Sequence, residues 1–548
     1  MAREALWAGG WLLAATALAA AAEPSPWLDA VRTFADNALR HGRDRFGNTP
    51  LLADGVNVDT LEPVVWVHQK QEWVVSNLAS QQILFRTLVG LSNLTAEPRY
   101  RKAAEDALRY HIEHLRSPCG LFMWGGHRFI DLRTLKAVGE QHSHEFKCSY
   151  PFYGFMWEVD RAATEKFLKA FWNAHILDWA VLDMNRHGRY VRPMGKLWDS
   201  EFRGAEPFFP GDGLTFINAG SDLVFAAAHL YRLSGDRGAL AWAKRLAEQY
   251  VKARDPKTGL GAYQYSQARA TADPAKAGTS SRGGDRAKNQ LGPEFGPRAL
   301  EGKVLDPGRA AVIYGRAAIS QLRLAEALGD DGQDFLRWTR DGLLAFARHV
   351  YDPETNLLRP MFTDGTPIRP EDVKRPGYYR PEVFQPQAAG PTLLCSFALA
   401  WRLTADARLW ETLRHMARHQ GLGDLGAAPG QEAKPNLATD CADPEALFAV
   451  LELCRSAPAP ADYRELAKAM GQNILRQRFH KGFFLPSPRH VNANFCTLEP
   501  HALLALEAAL RDRPEAVPTY DGGRGYIHGP HDGMGRTYDS RAIWSRTR

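Results

Sequence analysis

Six cysteines in 548 residues (119, 148, 395, 441, 454 and 496) are too few and too scattered for a disulfide scaffold, and no Cys-x-x-Cys pair occurs. Charge of one sign is missing as well. The 68 basic and 62 acidic residues leave a net +6, which argues against nucleic acid as a partner. After residue 22 no apolar run approaches the roughly 18 residues that a membrane span requires, and Thr392–Trp401 is only long enough for a core helix. With 45% hydrophobic and 24% charged residues, disordered, collagen-like and coiled-coil classes are excluded too.

What is abundant is aromatic: 15 Trp, 17 Tyr and 26 Phe, 11% of the chain, a content that suits sugar-stacking surfaces and a large helical core equally. The small and apolar stretch Ala5–Ala22 ends in Ala20-Ala21-Ala22 before Glu23-Pro24 and reads as a signal peptide, residues 1–22, with an A-x-A cleavage site. Its positive region is thin, because Glu4 follows Arg3. A periplasmic or secreted protein of residues 23–548 is expected, monomeric and free of the membrane after cleavage. Export permits disulfides, so Cys119 and Cys148 could bridge or stay as buried thiols.

The length alone suggests several domains at about 150 residues each, but the patterning suggests one repetitive unit. Amphipathic pairs recur at Ser76–Leu91 with Tyr100–Leu115, Asp222–Leu233 with Ala239–Ala253, and Gly315–Leu328 with Phe335–His349. Two more follow at Leu393–Arg402 with Arg408–His419 and Glu445–Cys454 with Tyr463–Gln477. Within them apolar residues return at three- and four-residue steps, as in Leu240, Ala243, Leu246, Ala247, Tyr250 and Val251, which marks one buried helical face. Turn signals around Gly120, Gly259, Asn356 and Gly482 close several pairs at irregular spacing, so the repeats form no fixed-period solenoid. Helical hairpins closing into an all-α (α/α) toroid, with long loops forming a cleft, fit best. Residues 263–302, rich in Gly, Ala, Ser and Asp, read as a surface insertion or a lid. The glycine-rich tail from Val517 carries enough aromatic, His and Arg residues to be ordered.

Three segments concentrate reactive side chains: Met123-Trp-Gly-Gly-His-Arg128, His142-Ser-His-Glu-Phe-Lys147, and Phe171-Trp-Asn-Ala-His175 leading to Asn185-Arg-His-Gly188. The third reads as an aromatic helix with Gly188 as its stop, so that a cation beside His187 would gain from the helix's C-terminal partial charge. Two imidazoles and a carboxylate suit borderline divalent metals, whereas calcium prefers oxygens alone. His127, Glu145 and His187 are the preferred set, with His142 and His144 as rivals and His175 expected to pack beside Trp172 and Trp179.

Taken in order, Trp124-Gly-Gly-His127, His144-Glu145, Tyr150-Pro-Phe-Tyr153, Met156-Trp-Glu-Val-Asp160, Phe171-Trp-Asn-Ala-His175 and Asn185-Arg-His-Gly-Arg-Tyr190 resemble the bacterial pectate lyases of polysaccharide lyase family 2. The resemblance is densest over 124–190. It implies an (α/α)7 toroid that cleaves polygalacturonate by β-elimination with a transition metal such as Mn, Co or Ni. By the same resemblance His127, Glu145 and His187 are the metal ligands and Arg186 is the Brønsted base. Guanidinium stays protonated below about pH 12, so alkaline conditions should favour an arginine base; alternatively Arg186 pairs with a substrate carboxylate.

A polyanionic substrate calls for basic and aromatic cleft residues. Arg128, Arg189, Lys196, Arg536 and Tyr538 lie near the motif segments, and Trp124 and Trp172 could stack on sugars, although solvated surface or core is the competing fate of each. Two other readings stand beside the lyase. A glycoside hydrolase on the same toroid could use Asp199, Glu201 and Asp212 as its acid and base, and a non-catalytic glycan-binding protein would need no His/Glu/His set.

Overall fold

The computed structural model describes residues 25–548 apart from 69, 140–142, 205–214, 265–290, 292–293, 296–297, 299–300, 375–378, 429–430, 457–460, 526–527, 532–536 and 540. The expected leader 1–22 and most of the 263–302 insertion therefore lie outside the described residues.

Helical hairpins build the chain, as the periodicity predicts. Helices α1 (Pro26–His41), α2 (Gln82–Thr95), α3 (Pro98–His114), α4 (Tyr153–Val159), α5 (Arg161–His175), α6 (Ile217–Ser234) and α7 (Arg237–Lys252) make up the first half. Helix α8 combines a turn Pro307–Ala310, a π-helical stretch Ala311–Ala317 and the α-helix Ala318–Leu328. Then come α9 (Gln333–His349), α10 (Pro391–Thr404), α11 (Ala407–His419), α12 (Pro444–Cys454), α13 (Ala461–Arg478) and α14 (Glu499–Leu510).

The even-numbered helices pack side by side as an inner wall, in the order α4, α6, α8, α10, α12, α14, α2, with α3 leading from α2 back to α4. Helix α1 pairs with α14, so the first helix becomes the outer partner of the last and closes the ring. Seven pairs result among the described residues, one of them using the short α4. Burial follows position. Residues Ile217–Ala228 of inner helix α6 and Glu445–Leu453 of α12 are buried throughout, whereas outer helix α9 buries one face only, through Phe335, Thr339, Gly342, Leu343 and Phe346. Asp160, Asp236 and Asp406 cap α5, α7 and α11 by accepting backbone N–H bonds. The turn residues Gly120, Gly259, Asn356 and Gly482 all have positive φ, as stops of that kind require.

Strand β1 (Gly55–Asn57) pairs with residues Asn492–Asn494, and one end of the ring carries a small antiparallel sheet of β2 (Val65–His68), β3 (Gln71–Ser76), β4 (Arg128–Asp131) and β5 (Lys136–Gly139), in that order. It buries Trp66, Trp73 and Phe129 against Ile543. Ser76 therefore ends a strand instead of starting a helix, and α2 begins six residues later than its periodicity suggests. The segment 171–187 also departs from expectation. Helix α5 stops at His175, and a short hairpin follows: β6 (Ile176–Asp178) pairs with β7 (Asp183–Met184). His187 is thus not itself the last turn of a helix, although the C-terminal carbonyls of α5 bond the residues that flank it, Asn185 N to His175 O at 2.9 Å and Arg189 N to Ala174 O at 3.4 Å. The hairpin turns the chain so that His144 and Gly188 pair as an antiparallel bridge, N–H to O at 2.9 and 2.8 Å.

All six cysteines are free thiols. Cys119 donates to Tyr190 O, and Cys148 is buried against Asn218 O, so the two have separate surroundings. No described helix is long and apolar enough to cross a membrane.

Candidate metal and catalytic centre

Loop residues at the sheet-bearing end of the ring converge on one carboxylate. Glu145 is fully buried, and four cationic or imidazole groups surround it, each partly open to solvent. His127 Nε2 lies 2.8 Å from Glu145 Oε2 and Lys147 Nζ 3.3 Å from the same oxygen. Arg186 Nη1 and His187 Nε2 approach Oε1 at 3.3 and 3.7 Å. The ligand atoms of His127, Glu145 and His187 all lie within 4.8 Å of one another.

Each group is held by backbone geometry. Gly126 N donates to Glu145 O at 2.8 Å and Asn77 Nδ2 to Gly125 O at 2.8 Å, which seats the loop just before β4 on the Glu145 segment. The His144–Gly188 bridge lays the Arg186–His187 turn alongside, and Asn185 Oδ1 accepts His187 N at 2.9 Å. Arg186 rests over the Phe216 ring, 5.0 Å from its centroid, at the start of α6. Asp222 of α6 accepts the N–H groups of Cys148, Ser149 and Tyr150 at 2.7 to 2.9 Å and fixes the chain leaving the site.

Beneath the centre lies a buried imidazole pair. His175 Nδ1 donates to Asn185 O at 2.7 Å, so its neutral ring offers Nε2 as acceptor to His144 Nδ1 at 3.1 Å. Burial holds His175 down to about 4 and His144 well below the usual histidine value, which keeps both neutral. His144 is thereby a support for the turn and no rival ligand, and His175 packs as expected. Gly188 is required here, because a Cβ would sit 2.5 Å from His175 Nε2.

Burial works to raise the Glu145 carboxyl, but Lys147, Arg186 and His127 outweigh it and hold the group ionised, well below its usual range. Burial pushes Lys147 down to about 8, opposed by Glu145, and pushes His187 down to about 3. A neutral His187 can ligate a metal. Its buried Nε2 makes no hydrogen bond among the described residues, and two imidazole nitrogens with one carboxylate form a donor set for a borderline divalent cation. The residues present therefore fit such an ion.

Other expected site residues fall elsewhere. Trp124 and Trp172 are fully buried and face no cleft. Trp124 packs among Phe122, Phe146 and Phe167, and Trp172 donates Nε1 to Leu223 O at 2.8 Å; both serve the core instead of a sugar. Arg128 is buried in β4 over the Tyr190 ring. Arg189 and Lys196 are exposed on the loop after His187. Arg536 lies outside the described residues, and only the backbone of Tyr538 is described, in the strand Thr537–Asp539. His142 and Asp212 also lie outside. Asp199 and Glu201 are exposed, and neither takes part in an ion pair among the described residues. Lys147 went without a role in the sequence reading, although alternation in an extended segment puts residues 145 and 147 on one side and Phe146, fully buried, on the other. Nothing local could have revealed Phe216 or Asp222.

A family model described as "Periplasmic pectate lyase" matches residues 49–530. The pectate disaccharide-lyase of Dickeya dadantii (strain 3937) is 35% identical over 541 residues, covering 94% of this chain and 96% of that one. Among solved structures, cellobiose 2-epimerase from Bacillus thermoamylovorans B4167 aligns with a TM-score of 0.42 at 10% identity, covering 88% of this chain and 99% of that one. A family 76 glycoside hydrolase from a bovine Bacteroides thetaiotaomicron strain gives 0.43 at 10% identity, covering 89% and 78%.

Proposed function

This chain belongs to the periplasmic pectate lyase family, and on that premise we propose that it cleaves α-1,4-polygalacturonate by β-elimination at the centre built on Glu145, with Arg186 as base. It is a polysaccharide lyase acting on pectate, and the hydrolase alternative is not favoured. The observation that supports the site assignment is that the Arg186 guanidinium and the two imidazoles share one buried carboxylate, Arg186 Nη1 at 3.3 Å and His127 Nε2 at 2.8 Å.

In a galacturonate unit the C5 proton is next to the carboxylate, so its removal loads further negative charge on an anion. His127, Glu145 and His187 would hold Mn, Co or Ni, which when bound supplies Lewis acidity toward the substrate carboxylate. Lys147 adds positive charge beside the same position and favours the carboxylate's approach. Arg186, having released its own proton to solvent, takes the C5 proton at a guanidine nitrogen. The C5–H electron pair forms the C4=C5 double bond as the C4–O glycosidic bond breaks and its electron pair stays on the departing oxygen, which takes a proton from solvent water, leaving a 4,5-unsaturated galacturonide and a new reducing end. Phe216 keeps the guanidinium from swinging away. Because the site receives a free carboxylate, esterified pectin should be a poor substrate. A periplasmic destination agrees with the family's description.

The test is ultraviolet absorbance on polygalacturonate with added Mn, Co or Ni, with and without chelator. Absorbance should rise with metal and stop with chelator, and no rise with any metal defeats the reading. Arg186→Lys should retain substrate binding but lose roughly 10²–10⁴-fold in turnover; near-normal turnover removes Arg186 from the base role.

A further inference from the structure

The tail after α14 runs through the ring, held by side chains of the inner helices. His501 of α14 donates Nε2 to Pro518 O at 2.6 Å, and Arg86 of α2 donates to Thr519 O at 3.3 Å and to Asp521 Oδ2 at 2.7 Å. Arg323 of α8 donates to Tyr520 O at 3.1 Å, and beyond it Arg524 N donates to Cys148 O at 3.2 Å, behind the Glu145 segment. Thr519 and Asp521 also help to line a cavity of about 320 Å³, whose walls are the start of α4 and the C-terminal parts of α6, α8 and α12. This cavity is far from the catalytic centre. Phe216, beside Arg186, precedes α6, whereas His229 and Arg232, which line the cavity, are thirteen and sixteen residues further along the helix, about 20–24 Å at 1.5 Å per residue.

Four arginines line this space, and they fall into two pairs. Arg86 and Arg323 are 4% and 6% exposed and fully engaged: Arg86 bonds Asp521, and Arg323 bonds Glu326 and Glu452 at 2.8 and 2.5 Å. Arg232 and Arg455 are exposed at the rim and held loosely. The Arg455 guanidinium lies 3.6 Å from Glu326 and 3.8 Å from Glu452, beyond good hydrogen-bond range. The Arg232 guanidinium enters no ion pair or hydrogen bond among the described residues. Its position is nonetheless defined, because a Cβ on Gly154 of α4 would sit 3.5 Å from Arg232 Nη2.

The polar groups between these arginines are uncommitted as well. His229 donates Nδ1 to Phe225 O at 3.0 Å, and burial, then the charge of Arg232, which outweighs that of Asp521, hold it neutral with a pKa of about 4. Tyr153, whose ring centroid is 6.0 Å from that of His229, has a buried hydroxyl without a hydrogen-bond partner among the described residues. A volume near 300 Å³ is at the small end of ligand sites. Arg232 and Arg455 stand in or just after the last turns of α6 and α12, where positive charge complements the terminal carbonyls, but that role does not require both to face one cavity.

We propose that this cavity is a second, anion-binding site, in which Arg232 and Arg455 take the oxyanion of a small ligand, the carboxylate of a free sugar acid or inorganic phosphate. Guanidinium forks suit either group in two-point contact. The site does not depend on the reaction at Glu145.

The experiment is calorimetric titration of the full-length protein with inorganic phosphate and, separately, with monomeric galacturonate at millimolar concentration. Wild type is compared with the double variant Arg232→Ala, Arg455→Ala and with His127→Ala, and melting temperature and ultraviolet turnover are measured alongside. At least one probe should bind, and which one does identifies the source of the oxyanion. The double variant should bind that probe about 10–100-fold more weakly at an unchanged melting temperature and unchanged turnover, while His127→Ala binds it as wild type does. Replacing both arginines by lysine should recover part of the affinity. Absence of binding by both probes overturns the proposal, as does equal binding by the double variant or loss of binding in His127→Ala instead. A loss of affinity that only follows a lower melting temperature, or a lower melting temperature with affinity intact, leaves the arginines as helix-end charges and overturns it too. If the double variant does not fold, Arg232→Gln and Arg455→Gln are read singly by the same criteria.

Discussion

Two buried carboxylates, Glu145 and Glu452, are each ringed by cations, but at different closeness. Glu452 of α12 accepts from Arg323 at 2.5 Å and Arg402 at 2.6 Å. Glu326 of α8 takes the other arms of both arginines at 2.8 and 2.6 Å. Three neighbouring inner helices, α8, α10 and α12, are thereby joined by short charge-assisted bonds with little capacity left over. Around Glu145 the approaches are looser, from 2.8 to 3.7 Å, and among the described residues His187 Nε2 makes no hydrogen bond. The tight network holds helices together. The looser one leaves an imidazole nitrogen for a ligand, and this difference in closeness, more than burial, marks the functional cluster.

Paired variants sharpen that contrast most. Glu145→Gln should cut ultraviolet turnover by roughly 10²–10³-fold, with only a small loss of melting temperature, because water can reach the partly exposed cations around it. Glu452→Gln should cost about 3–5 kcal/mol of stability by removing the buried carboxylate that Arg323 and Arg402 share and leaving both to Glu326 alone, with turnover per folded molecule unchanged. If both variants lost stability alone, the contrast would fail.

A smaller effect lies in acid. Burial works to raise the Glu452 carboxyl, but Arg323, Arg402 and Arg455 outweigh it and bring it from 4.5 down to about 2. A carboxyl lowered on folding contributes stability in full above its unfolded value and loses it as the pH falls from about 4.5 toward 2. Melting temperature should drop across that window, and Glu452→Gln should flatten the drop; equal slopes for the two proteins would show that other groups dominate acid unfolding.

The smallest expected effect concerns the aromatic excess. Trp172→Phe removes ring volume and the bond to Leu223 O and should cost about 1–3 kcal/mol in thermal melts. Trigalacturonate affinity should stay unchanged, and a weakened affinity at constant stability would return Trp172 to the cleft.

Much of this was legible in the chain. The hairpins were readable because three- and four-residue spacing of apolar side chains is a local property, and their turns were marked by Gly and Asn able to adopt positive φ. Residue chemistry singled out His127, Glu145 and His187, and these are the three whose ligand atoms converge. The stretch after His175 was misread because Trp172, His175 and Trp179 continue a helical spacing, whereas pairing of the following strand with residues some forty positions earlier decides its course. The tryptophans were ambiguous for a related reason, since an aromatic ring packs in a core or on a sugar with equal chemistry.

Periodicity and side-chain type are carried locally, so the amphipathic hairpins and the His/Glu/His chemistry could be read from the chain alone. Long-range packing set which carboxylate is tightly bonded, which tryptophans are core, and that α1 closes the ring against α14 while Arg524 N of the tail bonds Cys148 O. Those outcomes depend on desolvation and hydrogen-bond partners contributed by segments hundreds of residues apart, as with Arg86 and Asp521.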